Sequence, residues 1–385
     1  MKQFIIALKN LNIDDALIIK IINDYSEEKL IELFINHNNS IIVNDLALLK
    51  YEGLFNDSLI VEKALQKAIN IIEENKKYGI KTLLYNSRYY PCNLKKIDNP
   101  PPVLYIKGAN FTNKHKKALA CVGTRTPTKF AVNATNYLIP QWANEEFIIV
   151  SGLAIGVDTL SHVSCVESGG ITVAVLAHGL DTIYPKENEY LAQRILNNGG
   201  TLISEYPIGT KADKFRFVKR NRLIVGLALG TVVFEMKVKS GSMHSIDFTV
   251  EQGKPVFCPN PGNEVNNEQL EGLRYLLNNK IATLIANGSS FETPIFYLGY
   301  KLKHSPVHLS KIKETYIKSL LNNTSTQANI NEVLYQLLDK NNLKKKSITV
   351  NNLQYEEFKK IAALNYLSVK ELLNVIIEQV VINNK

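Results

Sequence analysis

The stretch Ala118-Leu119-Ala120-Cys121-Val122-Gly123-Thr124-Arg125 decides the fold: five residues with no charge or strong polar group, then a glycine turn, then a helical pattern over Phe130 to Trp142. The unit recurs. Phe147 to Val150 ends at Ser151-Gly152-Leu153-Ala154-Ile155-Gly156-Val157-Asp158, and a helix follows through His162 to Ser168. Thr172 to Leu176 ends at Ala177-His178-Gly179-Leu180-Asp181; Thr201 to Glu205 and Thr231 to Glu235 each follow a helical stretch, and Pro255 to Cys258 closes the series. Unbroken apolar strands alternating with helices predict an α/β fold, a doubly wound, mostly parallel sheet covered on both faces.

In such a sheet, ligands sit beyond the carboxyl ends of the strands, near helix N-termini whose free N–H groups attract anions. Three glycine-bearing turns fall there: Gly123-Thr124-Arg125, Ser151-Gly152 to Gly156, and Ser240-Gly241-Ser242. None is G-x-G-x-x-G, and none runs into the Lys-Ser/Thr of a nucleotide P-loop, which argues against a nicotinamide dehydrogenase or an ATPase. Between the apolar runs lies Lys214-Phe215-Arg216-Phe217-Val218-Lys219-Arg220-Asn221-Arg222, with five cations, two aromatics and no acid. That combination suits phosphates and bases.

Outward from this core, the chain of 385 residues has room for two or three domains, and its formal net charge of +9 favours an anionic partner. The span 1–77 carries apolar residues at helical spacing, with Ser26-Glu27-Glu28 suiting a helix start, and reads as a small helical module. Pro100-Pro101-Pro102 cannot lie in a helix or a central strand, so Tyr90 to Gly108 crosses extended into the next domain and ends in a short strand, Val103 to Ile106. Cys92, Cys121, Cys165 and Cys258 show no C-x-x-C spacing and read as free thiols in a reducing compartment. No stretch approaches the ~18 uninterrupted apolar residues of a membrane helix, and the start of the chain lacks a signal-peptide pattern. A cytoplasmic protein without membrane association, metal or other cofactor is expected.

Taken in order, the motifs resemble the DNA-processing protein A family (DprA, also called Smf). The residues that carry the resemblance are Tyr90-Pro91 with Pro101, Leu104 and Gly108; Val122 to Arg125; Val150 to Ala154 with Gly156, Asp158 and His162; and Ala174 to Leu176 with Gly179-Leu180-Asp181 and Tyr184-Pro185-Lys186-Glu187-Asn188. Ser204 to Pro207 with Gly209, Phe217 with Arg220-Asn221-Arg222, Glu235 with Ser240-Gly241-Ser242, and Val256 with Pro261-Gly262 complete the set. The likeness spans roughly Tyr90 to Gly262, and more loosely the helical N-terminus. It implies an extended Rossmann-like domain, over 78–293, that binds single-stranded DNA, dimerises, protects incoming DNA and loads RecA recombinase during natural transformation. By family pattern, Arg125, Lys214, Phe217 and Arg220 would contact DNA and Gly123 and Gly152 would admit its backbone; Thr124, Lys219, Asn221, Arg222, Ser240, Gly241 and Ser242 complete the expected binding surface. This sequence departs from the pattern at Val218 after Phe217, at Ala177 before His178, and over Asn263 to Glu268.

After a connection over 294–343, the run Lys344 to Asn351 alternates like a strand, Tyr355 to Leu364 reads as a helix, and Ser368-Val369-Lys370-Glu371 is a capping box opening a second helix. This segment, 344–385, resembles a ribbon-helix-helix module, whose outward Ser347, Thr349 and Asn351 would face duplex DNA. A helical hairpin that only packs or dimerises is the alternative.

Asp158 and His162 resemble a catalytic pair, yet their spacing at a helix start suits a cap and a packed ring. Glu235 resembles the acid of nucleotide phosphoribohydrolases, without their glycine-rich loop. A binding protein, not an enzyme, is expected; the competing class is a Rossmann-like enzyme or sensor of a nucleotide-derived small molecule. Arg220 and Arg222 have a second reading as a structural knot with Glu205 or Glu235.

Overall fold

The computed structural model describes residues 1–36, 46–261 and 268–285. The tail segment read as ribbon-helix-helix and the connection before it lie outside the described residues.

Helices α1 (Lys2–Asn10), α2 (Asp15–Asp24) and α3 (Glu27–Phe34), the short α4 (Leu46–Leu49) and α5 (Glu52–Phe55), and the long α6 (Ser58–Lys77) open the chain. Ser26 starts α3 by accepting from the Lys29 amide, as Asp57 does for α6 from Ile60. Phe4, Ile5, Ile6 and Leu8 bury α1 against α6, and Phe4, Phe34 and Phe55 stack in series.

A nine-stranded sheet follows, with β1 (Lys81–Leu84), β2 (Val103–Gly108), β3 (Ala118–Val122), β4 (Ile148–Ser151), β5 (Thr172–Leu176), β6 (Thr201–Ser204), β7 (Gly230–Val233), β8 (Val256–Pro259) and β9 (Ala282–Ile285) in the spatial order β1-β2-β6-β5-β4-β3-β7-β8-β9. From β6 to β9 every pair is parallel; β2 runs antiparallel to β6, and β1 antiparallel to β2. Helices α7 (Lys129–Asn144), α8 (Val157–Glu167), α9 (Glu189–Asn197), α10 (Lys214–Leu227), α11 (Gly241–Glu251) and α12 (Glu268–Asn278) cover its faces. The expected mostly parallel α/β architecture is therefore present.

Two details differ from the sequence reading. The series does not close at β8, since β9 extends it, and β1 precedes the proline segment. Both are four-residue strands against a helix end, too short to show a period of their own. The lead-in strand also continues to Gly108. The strands are buried on both sides: one core cluster gathers Val122, Val150, Val175 and Ile203 with α10, another gathers Leu119, Cys121, Ile149 and Phe234 with Trp142 of α7.

The connections give the sheet its functional geometry. From β3 the chain winds through β4 and β5 to β6, then returns to β7 on the other side of β3. The turns after β3 and β7 thus diverge at a topological switch point, where open α/β sheets leave a crevice.

Candidate nucleic-acid interface

Helix α10 begins where Asp213 accepts from the amides of Phe215 and Arg216 at 2.8 and 2.9 Å and pairs with the Arg216 guanidinium at 2.6 Å. The cap holds the basic run in helical register, which sorts its residues by face. Lys214, Phe217, Val218 and Asn221, spaced by three and four, face a cavity of about 1010 Å³, with Arg220 at its floor. Gly123, Thr124 and Arg125 after β3, and Ser240, Gly241 and Ser242 at the start of α11, line the same cavity. Ten of the sequence-selected residues therefore converge at the switch point; Gly152, Lys219 and Arg222 do not line it.

The turn after β3 is fixed by β7. The Thr124 amide donates to the Glu235 carbonyl at 2.7 Å, and the Thr128 amide to the Glu235 carboxylate at 2.8 Å. Glu235 is wholly buried, a scaffold member set away from the open cavity. Ser242 Oγ donates to the Gly123 carbonyl at 2.8 Å, tying α11 to the same turn. A side chain on Gly123 would meet Val157 Cγ2 at 2.6 Å, so glycine there serves the seating of α8. Ser240 makes no side-chain cap bond, which leaves N–H groups in the first turn of α11 open to an anion.

Gly152 has a different partner from the one expected. A Cβ at this position would stand 2.4 to 2.6 Å from the guanidinium of Arg220. That guanidinium is 3% exposed and donates from Nη1 to the carbonyls of Gly152, at 2.7 Å, and Val175. Asp158 lies alongside, largely buried, and accepts from the amides of Gly152 and Ala154 at 3.1 and 3.3 Å. Burial pushes the Asp158 carboxyl up while Arg220 opposes the shift, and burial draws Arg220 down to about 10, which leaves it protonated. His162 is also interior; Thr172 spends its one proton on the Ile149 carbonyl, so His162 Nδ1 donates to Thr172 Oγ1 at 2.7 Å. Desolvation, with Arg220 nearby, holds its pKa down to about 3, so the ring is neutral. Asp158 and His162 each have structural partners instead of one another. Arg222 bonds Glu205 at 2.5 Å and the Asn99 carbonyl at 3.0 Å, and Lys219 stands 4.0 Å from the same Glu205 oxygen. The knot reading fits Arg222 through Glu205.

The cavity mouth is cationic. Arg125, Lys211 and Lys214 are exposed and line it without a carboxylate partner among the described residues. The two lining acids are occupied, Asp158 beneath Arg220 and Asp213 with Arg216. Phe217 is ringed by Tyr184 at 5.7 Å between centroids and by the guanidinium carbons of Arg125 and Arg220, each at 5.9 Å. Tyr184 is 55% exposed and offers a second aromatic face. Sequence reasoning left out Tyr184 and Lys211 as site residues. Tyr184 stood in a quoted motif, but only the sheet brings the β5–α9 connection to α10.

Among the described residues no helix is long and apolar enough to cross a membrane, no group of three or more His, Cys, Asp or Glu could hold a metal ion, and the four cysteines are free.

The fold and site define a doubly wound α/β domain with a cationic, aromatic-lined cavity at its switch point. Residues 81–293 match the family model for DNA recombination-mediator protein A, and the chain belongs to that family. It is 37% identical over 198 residues to the DNA processing protein DprA of Bacillus subtilis, covering 51% of this chain and 66% of that protein. With the Streptococcus pneumoniae DprA it shares 34% over 231 residues, 60% of this chain and 79% of the relative. The solved S. pneumoniae structure superposes with a TM-score of 0.59 at 26% identity, covering 75% of this chain and 96% of that one. DprA of Helicobacter pylori, whose structure addresses its single-stranded DNA binding mode, superposes with a TM-score of 0.50 at 29% identity, over 57% of this chain and 96% of that one.

Proposed function

We propose that this chain binds single-stranded DNA across the switch-point cavity and, as a recombination mediator, passes it to RecA recombinase in the cytoplasm during uptake and recombination of foreign DNA. The observation that carries the reading is the set Arg125, Lys211 and Lys214, without a carboxylate partner among the described residues, around half-buried Phe217 and exposed Tyr184. Cations neutralise phosphates without regard to sequence, and an aromatic face accepts any base, so the combination suits a strand of arbitrary sequence. The solved strand-binding mode of the H. pylori relative supports it.

The protein acts here by binding and positioning, with no bond made or broken. Asp213 fixes the start of α10, Arg220 and Asp158 brace the loop after β4, and the first turn of α11 offers N–H groups to a phosphate. A homodimer, and duplex contact through 344–385, complete the proposal.

Fluorescence-anisotropy titration of labelled oligonucleotides at several salt concentrations tests it. Arg125→Ala and Lys214→Ala each lower the salt slope by about 0.7, one phosphate contact on a single strand. Phe217→Ala weakens binding by about 1–3 kcal/mol with the slope unchanged. Full retention of binding by all three folded variants refutes the reading. A cavity of about 1010 Å³ also admits a nucleotide-derived small molecule; binding of mononucleotides there, with no strand binding, selects that function instead.

A further inference from the structure

A second cleft, of about 450 Å³, lies at the other end of α10. Asn93 beside it donates to the carbonyls of Leu227 and Lys116 at 3.0 and 3.1 Å, whereas the strand cavity is lined by that helix from Lys214 to Ile224. At 1.5 Å of rise per residue, Leu227 in this cleft stands about 15 Å along the helix from Phe217 in the strand cavity. Tyr89, Tyr90, Phe111 and His115 supply aromatic walls and Arg88 a cation.

His115 has a defined proton. The amide of Thr112, which can only donate, reaches His115 Nδ1 at 3.0 Å, so Nδ1 carries the lone pair and Nε2 the hydrogen. Nε2 is buried with no hydrogen-bond partner. The His115 ring lies 4.7 Å from that of Phe111, forming one aromatic wall. On Tyr89 the exposed Arg88 guanidinium rests 4.6 Å above the ring and donates to the phenol oxygen at 2.6 Å, without a carboxylate partner among the described residues. The surrounding span 85–117 contains seven lysines and arginines against the single acid Asp98, which selects for an anion.

We propose that this cleft binds a nucleotide, its base between Tyr89 and the Phe111–His115 wall and its phosphate on Arg88. The site is independent of the strand cavity. Its occupant is either a free nucleotide or a nucleotide within a strand that also engages α10.

Photocrosslinking of the full chain with 5-bromodeoxyuridine monophosphate, and in parallel with an oligonucleotide carrying the same base, followed by peptide mapping, tests the proposal. Adducts are expected on Tyr89, Phe111 or His115. Adducts with the monophosphate identify a free-nucleotide site, and adducts with the oligonucleotide alone identify a second contact along a strand. Arg88→Ala, a change at an exposed side chain, lowers the yield about tenfold, the equivalent of one charge-assisted hydrogen bond. Monophosphate adducts persist in Arg125→Ala, which separates this cleft from the strand cavity. Adducts confined to Tyr184 and Phe217, or no adducts with either probe, overturn it.

Discussion

Replacing Arg220 by methionine separates two roles that a basic residue in this run can have. In the structure its Nη1 serves the carbonyls of Gly152 and Val175, and Asp158 lies alongside in the interior. The methionine chain fills most of the volume but donates nothing, so both carbonyls lose a charge-assisted partner. Each unsatisfied carbonyl costs about 1–3 kcal/mol, and Asp158 loses the charge that opposes its desolvation. Apolar burial of the thioether offsets part, for a net loss of about 3 kcal/mol. In a domain of this size that lowers Tm by about 6–12 °C. Trp142 is the only tryptophan and is fully buried on α7, so its fluorescence reports melting of this domain. Asp158 compensates the buried charge, so the salt slope of strand binding stays at the wild-type value in the folded variant. An unchanged Tm with a slope lowered by about 0.7 would refute the argument and make Arg220 a direct phosphate contact.

Two further tests address the same floor. Gly152→Ala places a methyl group against the Arg220 guanidinium and costs about 1–3 kcal/mol by overpacking; the penalty shrinks beside Arg220→Met, whose flexible chain slides aside, and strict additivity in that double-mutant cycle contradicts the packing account. The His162 pKa is about 3 in the fold against an ordinary 6.5, so its contribution is fully present above pH 6.5 and is lost on acidification at up to about 1.4 kcal/mol per pH unit, down to pH 3. Asp158, whose pKa is raised, acts in the opposite sense. The difference in acid slope between wild type and His162→Asn isolates the histidine, and equal slopes contradict its burial as a neutral ring.

The alternation of apolar strands and glycine turns by itself determined the layer architecture, because a strand buried on both faces needs an unbroken apolar run. Chain order then placed Gly123, Thr124, Arg125, Ser240, Gly241 and Ser242 beyond the strand ends. The basic run favoured an anionic partner for the region, the expectation on which the proposed strand binding rests. Which cation meets solvent was decided only in three dimensions. Helical rotation of 100° per residue sends Lys214 and Phe217 to the cavity, Arg222 to Glu205 and Arg220 into the interior, and composition carries no such phase. Tyr184 joins the site because the sheet order brings the β5–α9 connection to α10, whose approach carries Lys211. Gly152 looked like an opening for a ligand and is an opening for Arg220, a contact 68 residues away in the chain that local sequence cannot encode.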